Sequence, residues 1–371
     1  MSPISPERQN YRSAIVGTGA VATAHARAIA ASGGRASLVA VADMDLTRAK
    51  DFAGVWNVPR AHASLTELLR EEQVDLVHLC TPPRLHAPQA VECLEAGVTV
   101  LLEKPPALSL AEFDMLVKAE RRSGAYVATV LQHRFGAGAL RLRRLARADA
   151  LGRPLLATCA THWYRDEAYY SVPWRGTWRS EGGGPTMGHG IHQFDLLLSV
   201  LGPWREVTAV AARRARDVDT EDVSMALVTF DQGAVATVVN SVVSPRQASE
   251  LRFDYEHATV EVRHLYGYTD DDWTVTPAPG HEGVPDLWSR EPGGAPSGHE
   301  SWFTAVLDAL DRGQAPPVTS EDARRTMEFI AALYASAFTG ERVRSGQITA
   351  DSPFGRTMEG TGAPWEKVRT T

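Results

Sequence analysis

The sequence predicts an α/β protein in two parts: a Rossmann-type parallel-sheet domain over residues 1–135, then over residues 136–371 an α+β domain with a large open-faced antiparallel sheet. Three observations predict it. Short apolar runs alternate with helix-length segments between residues 11 and 131. A glycine-rich turn follows the first run, and beyond about residue 150 longer strand-like runs succeed one another with hairpin turns between them. The length of 371 residues suits two domains at roughly 150 residues each.

In order, the first-domain strands are expected at residues 13–16, 38–42, 58–62, 76–80, 99–102 and 126–131. Their Val, Leu and Ile content is that of strands covered on both faces, with the run at 58–62 the weakest. Ser64 with Glu67, and Ser109 with Glu112, have the spacing of capping boxes, while Gly33 and Gly97 stand where helices should stop. In the second domain the strand runs are 155–164, 206–213, 223–230, 234–243, 251–256 and 259–265, read as an antiparallel meander with a hairpin turn at Asp231-Gln232-Gly233. Pro and Gly crowd residues 277–298 as a loop, and helices follow at 299–312 and 321–339.

Composition excludes several classes of protein. The charge is −7, from 45 acidic and 38 basic residues, and no basic cluster extends beyond residues 141–147, so neither nucleic acid nor an anionic membrane surface is an expected partner. A hydrophobic fraction of 44% and a charged fraction of 22% belong to a chain with a substantial core. Cys80, Cys93 and Cys159 lack any Cys-x-x-Cys spacing and read as buried thiols. The opening residues show no basic-then-apolar secretory pattern, and no apolar run reaches the roughly 18 residues of a membrane span, so the expected location is cytoplasmic.

The first strand runs into Gly17-Thr18-Gly19-Ala20-Val21-Ala22 and then a helix, a G-x-G-x-x-A pattern in its required context. Gly17 permits a tight turn, Gly19 lets backbone approach a pyrophosphate, and Ala22 lets helix pack closely on strand. Asp43, ending the second strand, stands 21 residues past Ala22, where a carboxylate can accept from ribose hydroxyls and repel a 2′-phosphate; NAD is favoured over NADP.

At the carboxyl end of a later strand comes Glu103-Lys104-Pro105-Pro106, and the strand before it ends in Thr81-Pro82-Pro83 with His86 one turn on. A Lys partly desolvated beside a cationic nicotinamide loses ammonium character and can exchange a proton with an alcohol. Pro105 can hold a cis bond or a fixed turn that aims it. Downstream, a helix expected to start near Pro185 would carry Gly188, His192 and Asp195 along one face with His189 beside them, Asp195 orienting His192 as a base. Glycines 188 and 190, poor helix formers, suggest close approach of some other group to this face. His189, His192 and Asp195 could otherwise be metal ligands, but the i, i+3 histidine spacing is unlike the usual zinc helix, and no metal is expected.

These residues together resemble the Gfo/Idh/MocA oxidoreductases, the family of glucose-fructose oxidoreductase and inositol dehydrogenase. The matching pieces are the Gly17 to Ala22 loop, Thr81-Pro82 with His86, Glu103-Lys104-Pro105, the segment from Trp174-Arg175 to Gly184, and His192 with Asp195. The resemblance implies that NAD(P) and a sugar or cyclic polyol meet in a cleft between the domains, with Lys104 and His192 as the catalytic pair. Members often carry an Asp four positions before this His; here that position is Gly188, with His189 or a substrate hydroxyl available to fill the space. Expected cofactor contacts beyond the loop and Asp43 are Thr81, Pro82, His86, Glu103, Lys104, Gln132, Trp174 and Arg175. Expected substrate contacts are Lys104, Trp163, Tyr164, Arg175, His189, His192 and Asp195, since aromatic faces stack on sugar C–H surfaces and Arg donates to hydroxyls.

The expected activity is therefore hydride transfer between NAD and a secondary hydroxyl of a sugar, sugar derivative or cyclic polyol. Alternatives are a glycosidase or lyase that uses NAD through transient ring oxidation, and a non-catalytic nucleotide-binding protein. An open sheet with alternating Val and Ala at residues 234–239 leaves a face for a second subunit, so a homo-oligomer, dimer or tetramer, is expected.

Overall fold

The computed structural model describes residues 10–365; the segment read for a secretory signal lies outside the described residues as far as residue 9. By compactness the chain forms two units, one of Met1–Pro106, Met115–Val130 and His299–Ser320, the other of Ala107–Asp114, Leu131–Gly298 and Glu321–Thr371. The division is therefore not a single cut near residue 135, because the chain returns to the first unit late.

The first unit alternates β1 (Tyr11–Val16), α1 (Ala22–Ala30), β2 (Ala36–Ala42), α2 (Leu46–Trp56), β3 (Arg60–His62), α3 (Leu65–Glu71), β4 (Leu76–Leu79), α4 (His86–Glu95), β5 (Thr99–Leu102), α5 (Leu110–Ser123), whose residues as far as Asp114 count with the second unit, and β6 (Val127–Thr129). The six strands form a parallel sheet in the order β3-β2-β1-β4-β5-β6. Ala14, Ile15, Val41, Val77, Val100 and Leu101 are fully buried, as strands covered on both faces require. Strand order reverses between β1 and β4, which makes their carboxyl ends the ligand-binding edge of such a sheet. Both expected caps form: Ser64 Oγ accepts from Glu67 N and Ser109 Oγ from Glu112 N, each at 3.1 Å. The last strand is shorter than expected, because residues 132–135 turn as a 3₁₀ helix.

The second unit contains α6 (Ala137–Arg147), β7 (Pro154–Tyr164), α7 (Glu167–Tyr170), α8 (Trp178–Glu181), α9 (Pro185–Gly188) and α10 (Ile191–Leu201). It continues with β8 (Trp204–Ala212), β9 (Val223–Phe230), β10 (Val235–Ser241), β11 (Val243–Tyr255), β12 (Ala258–His264), β13 (Trp273–Pro277) and α11 (Val284–Arg290). After α12 (His299–Asp311), which belongs to the first unit, come α13 (Ser320–Thr339), β14 (Val343–Arg344) and α14 (Pro353–Arg356). The eight-stranded sheet runs β13-β12-β11-β7-β10-β9-β8-β14, antiparallel except where β10 pairs in parallel with β7. It is not the simple meander expected from sequence. Four short helices follow β7, so no hairpin ties it to the next strand, and it enters the middle of the sheet.

Strand β11 is twice the expected length. Its first half, Val243 to Gln247, is polar and interrupted by Pro245, and the pairing register with β7 shifts there, so no apolar alternation marked it. Helices α10 and α13 cover one face of the sheet, with Phe194 meeting Phe329 and Trp204 meeting Phe329 at ring separations of 5.3 and 5.6 Å. The other face leaves Val210, Met225, Leu227 and Val235 exposed.

Candidate functional site

In the first unit the glycine loop has the conformation its sequence demands. Gly17 has φ +87°, and a Cβ there would lie 2.8 Å from the Cys80 carbonyl carbon, so both the turn and the neighbouring strand end require glycine. A Cβ on Gly19 would meet nothing within 4 Å, which leaves backbone open to an approaching group. Val21, at the N-cap of α1, supplies no side-chain acceptor, so the helix start is available to an anion. Buried Ala22 begins the helix. These residues fit a dinucleotide pyrophosphate.

Asp43 departs from the expectation of a carboxylate waiting for ribose. It is buried, and it accepts from Thr18 N at 2.8 Å, Thr18 Oγ1 at 3.0 Å, Asp45 N at 2.9 Å and both Nε and Nη2 of Arg48 at 3.1 and 2.6 Å. Burial alone would raise its pKa, but these donors outweigh burial and hold it below the ordinary value. Asp43 therefore fixes the loop at Thr18, and Arg48, whose side chain is 52% exposed, sits over it as a cationic cover.

The Glu103-Lys104-Pro105 turn is braced from below. Glu103 Oε1 accepts from His25 Nε2 at 3.1 Å and from His299 Nε2 at 2.8 Å, and its Oε2 accepts from Lys104 N at 3.1 Å. His25 Nδ1 meets His78 Nδ1 at 2.9 Å, so His78 donates to a neutral His25. Against the effect of burial, the two histidine donors hold the Glu103 carboxyl well below its ordinary pKa, while burial pushes His25 and His78 down. The Lys104–Pro105 bond is cis. His86 places Nδ1 2.7 Å from Pro105 O and Nε2 2.7 Å from Thr81 O, tying the two strand ends together. Only the imidazolium donates to both carbonyls; burial opposes it and lowers the His86 pKa. Thr81 Oγ1 donates to Gln89 at 2.6 Å. Glu103 and His86 thus brace the lysine turn, their side-chain polar atoms hydrogen-bonded inside the unit.

In the second unit the expected single helix is two. α9 ends at Gly188, His189 has non-helical backbone angles, and α10 starts at Ile191, so Gly188, His192 and Asp195 do not share one helical face. Asp195 does not orient His192: it binds Arg134 bidentately, with Thr326 Oγ1 at 3.5 Å. A metal set of His189, His192 and Asp195 is therefore not assembled. His192 lies instead among rings, with His133 at 5.1 Å and Tyr266 at 5.5 Å between centroids. Gln132 donates to the Tyr266 hydroxyl. His189 stands edge-on to Trp163 at 4.8 Å, and its Nε2 accepts from Arg165 at 3.3 Å. Trp163 itself is buried and donates to Ser249 Oγ at 2.9 Å, whereas Tyr164 is exposed.

The Gly182 to Gly184 turn is a packing requirement. A Cβ on Gly183 would reach 2.1 Å from the Tyr334 hydroxyl, and buried Glu221 accepts from Gly184 N and Thr186 N at 3.1 and 3.0 Å. Likewise the group that approaches Gly190 closely is Asn240, its Oδ1 2.4 Å from a built Cβ; at Gly188 a Cβ would meet nothing within 4 Å. Arg175 lies over Trp174 at 4.6 Å and over Tyr169 at 3.9 Å.

Sequence reading missed Arg134, Arg165, Tyr169, Tyr266, His25 and His299. Arg134 sits two residues after Gln132 in a run that offered a signal; His25 and His299 had none, because they are nearly 275 residues apart and meet only through the late return of the chain.

A parallel sheet with an open glycine turn at its switch point, joined in sequence to a large mixed sheet bearing a histidine-aromatic cluster, defines a two-part dinucleotide-dependent oxidoreductase. The chain belongs to the GFO/IDH/MocA family: residues 11–130 match the oxidoreductase family with NAD-binding Rossmann fold, and residues 139–262 match the GFO/IDH/MocA C-terminal domain. Its cofactor is NAD. It is 27% identical over 367 residues to D-glucoside 3-dehydrogenase of Escherichia coli (strain K12), covering 90% of this chain and 97% of that protein. It is 28% identical over 207 residues to trans-1,2-dihydrobenzene-1,2-diol dehydrogenase of Mus musculus, covering 56% of this chain and 61% of that one. Among solved structures, the WlbA dehydrogenase from Bordetella pertussis in complex with NADH and UDP-GlcNAcA superposes with a TM-score of 0.81 at 26% identity, covering 91% of this chain and 99% of that one.

Proposed function

We propose that this protein oxidises a secondary ring hydroxyl of a sugar or sugar derivative, with Lys104 and His192 as the catalytic pair. The observation that carries the reading is the brace beneath Lys104. A turn whose backbone is held by a buried carboxylate, itself held by two histidines, fixes the Lys104 backbone at the carboxyl edge of the sheet that bears the open glycine loop. The loop from Gly17 to Ala22 holds the pyrophosphate, and Arg48 over Asp43 adjoins the adenosine end. Bound NAD supplies the hydride acceptor. Lys104 Nζ or the His192 imidazole takes the hydroxyl proton as the carbon is oxidised.

The named relatives support a sugar or polyol substrate, and so does the ring cluster of Trp163, Tyr266, His133 and His192, since flat faces stack on sugar C–H surfaces. A second copy of the chain covers the apolar face of the large sheet, making a homo-oligomer. Among the described residues no helix is long and apolar enough to cross a membrane.

The test is NADH formation with a panel of monosaccharides, glycosides and inositols. Lys104→Met and His192→Asn should each lower kcat by about 10²- to 10⁴-fold with the fold intact. Unchanged turnover in Lys104→Met removes the lysine from the mechanism. Substrate consumption without free NADH points instead to transient ring oxidation.

A further inference from the structure

We infer that the ring cluster of the second unit selects sugars carrying an anionic substituent, a carboxylate or a phosphate; the inference rests on the sugar-oxidising reading above and names its substrate class. Three arginines lie over the rings of this region. Arg165 sits 4.7 Å from the Trp163 centroid and 5.0 Å from that of Tyr169, Arg175 shares Tyr169 at 3.9 Å, and Arg216 sits 4.9 Å from Tyr164. An aromatic face takes up the flat side of a guanidinium and leaves its in-plane N–H groups for a carboxylate or phosphate; in Arg165, where Nε donates to His189 and Nη1 to Tyr164 O, those are the N–H groups of Nη2.

Carboxylates stand beside two of them, Glu181 by Arg175 and Asp222 at the Arg216 backbone N–H. Among the described residues neither Arg165 nor Arg216 forms an ion pair, and Arg175 Nη1 stands 4.0 Å from Glu181 Oε1, Glu181 also accepting from Gly176 N. Arg216 Nε is buried without a hydrogen-bond partner among those residues. Asp166, next to Arg165 in sequence, accepts from Tyr169 N at the start of α7. Guanidinium groups offer donors only, so a wall of them suits a group that only accepts; neutral hydroxyls need acceptors as well.

The cluster is continuous with the histidine assigned to catalysis. Arg165 donates to His189 and overlies Trp163, Trp163 meets Tyr266 at 6.0 Å, and Tyr266 meets His192 at 5.5 Å. A sugar presenting its reacting carbon to His192 therefore directs its far substituent along this ring path towards Arg165 and Arg175.

Calorimetric titration of the enzyme–NADH complex tests this with methyl glucoside as the neutral probe, and with methyl glucuronide, glucose 6-phosphate and UDP-glucose as anionic probes that separate carboxylate from phosphate. At least one anionic probe should bind about tenfold or more tighter than the glucoside. That preference should shrink with added salt, vanish in Arg165→Gln and survive in part in Arg165→Lys, which keeps charge but loses the in-plane N–H groups. Equal or tighter binding of the glucoside, binding of no probe, or a preference indifferent to both variants overturns the inference. NADH formation with the same compounds separates the two readings. Turnover of the glucoside without an anionic preference removes this inference and leaves the oxidoreductase reading standing; selective anion binding with no turnover of any sugar does the reverse.

Discussion

Gly188 and Gly190 flank one histidine and are glycines for different reasons, which makes them a controlled pair. A side chain at 188 enters open space, whereas at 190 it meets Asn240 Oδ1 at 2.4 Å. Gly188→Asp should therefore fold with a loss below about 1 kcal/mol, the carboxylate at a helix C-terminus being its main penalty. Gly190→Ala should lose about 1–3 kcal/mol through overpacking, and thermal denaturation of both variants decides it. Arg48 is a second residue whose role was hidden in the sequence. Asp43 was legible as the acid that ends the second strand; its neutralisation by a guanidinium five residues on was not, because the acid stands at a strand end and Arg48 on the helix after it, a pair that no helical spacing marks. A half-exposed guanidinium beside the adenosine end attracts a 2′-phosphate. Arg48→Ala should raise the kcat/KM preference for NAD over NADP by roughly tenfold, measured with both dinucleotides. An unchanged ratio removes Arg48 from cofactor choice.

Two elements depend on polar contacts that join distant parts of the chain. Helix α12 reaches the lysine turn through His299, and it is anchored to its unit by Arg35, which pairs with Asp308 at 2.9 Å and Asp311 at 2.8 Å. Because Glu103 has a folded-state pKa below its ordinary 4.5, its stabilising contribution is present above that value and is lost as pH falls through the depressed one. His299→Leu removes one of the donors that depress it, so the loss should begin at higher pH. Melting temperatures measured from about pH 7 to pH 3 should fall earlier in the variant than in the parent. Superimposable pH profiles would show that His299 does not hold Glu103. Helix α10, which carries His192, is secured at Asp195 by Arg134, both side chains buried. Arg134→Met strands that carboxylate and should cost about 3–5 kcal/mol, read by denaturant unfolding.

For the whole molecule, the first unit was legible nearly strand by strand, because buried parallel strands are continuous apolar runs and their helices carry caps. The second was legible in its strands but not in their order, since the order depends on which strand lacks a hairpin partner. The motifs around Lys104 and His192 and the nucleotide loop stood out locally; the histidine brace and the arginine cluster did not, because residues far apart in sequence assemble them. The same sheet carries a consequence for assembly. Val210 pairs opposite Met225, Leu227 lies between Thr208 and Thr237, and Val235 pairs opposite Leu156, so a band of exposed apolar side chains crosses four strands. On the reverse face Val207, Val228, Ala236 and Val238 are buried, so the alternation is complete and the outer band is no overflow of the core. A contiguous apolar band on a sheet is unfavourable in water and favourable against a second copy. Leu227, 65% exposed at its centre, is the residue to change. Leu227→Arg should leave the far-ultraviolet dichroism and NADH binding of the subunit unaltered while shifting its sedimentation coefficient to that of a monomer. If the parent chain already sediments as a monomer at micromolar concentration, the band has another occupant.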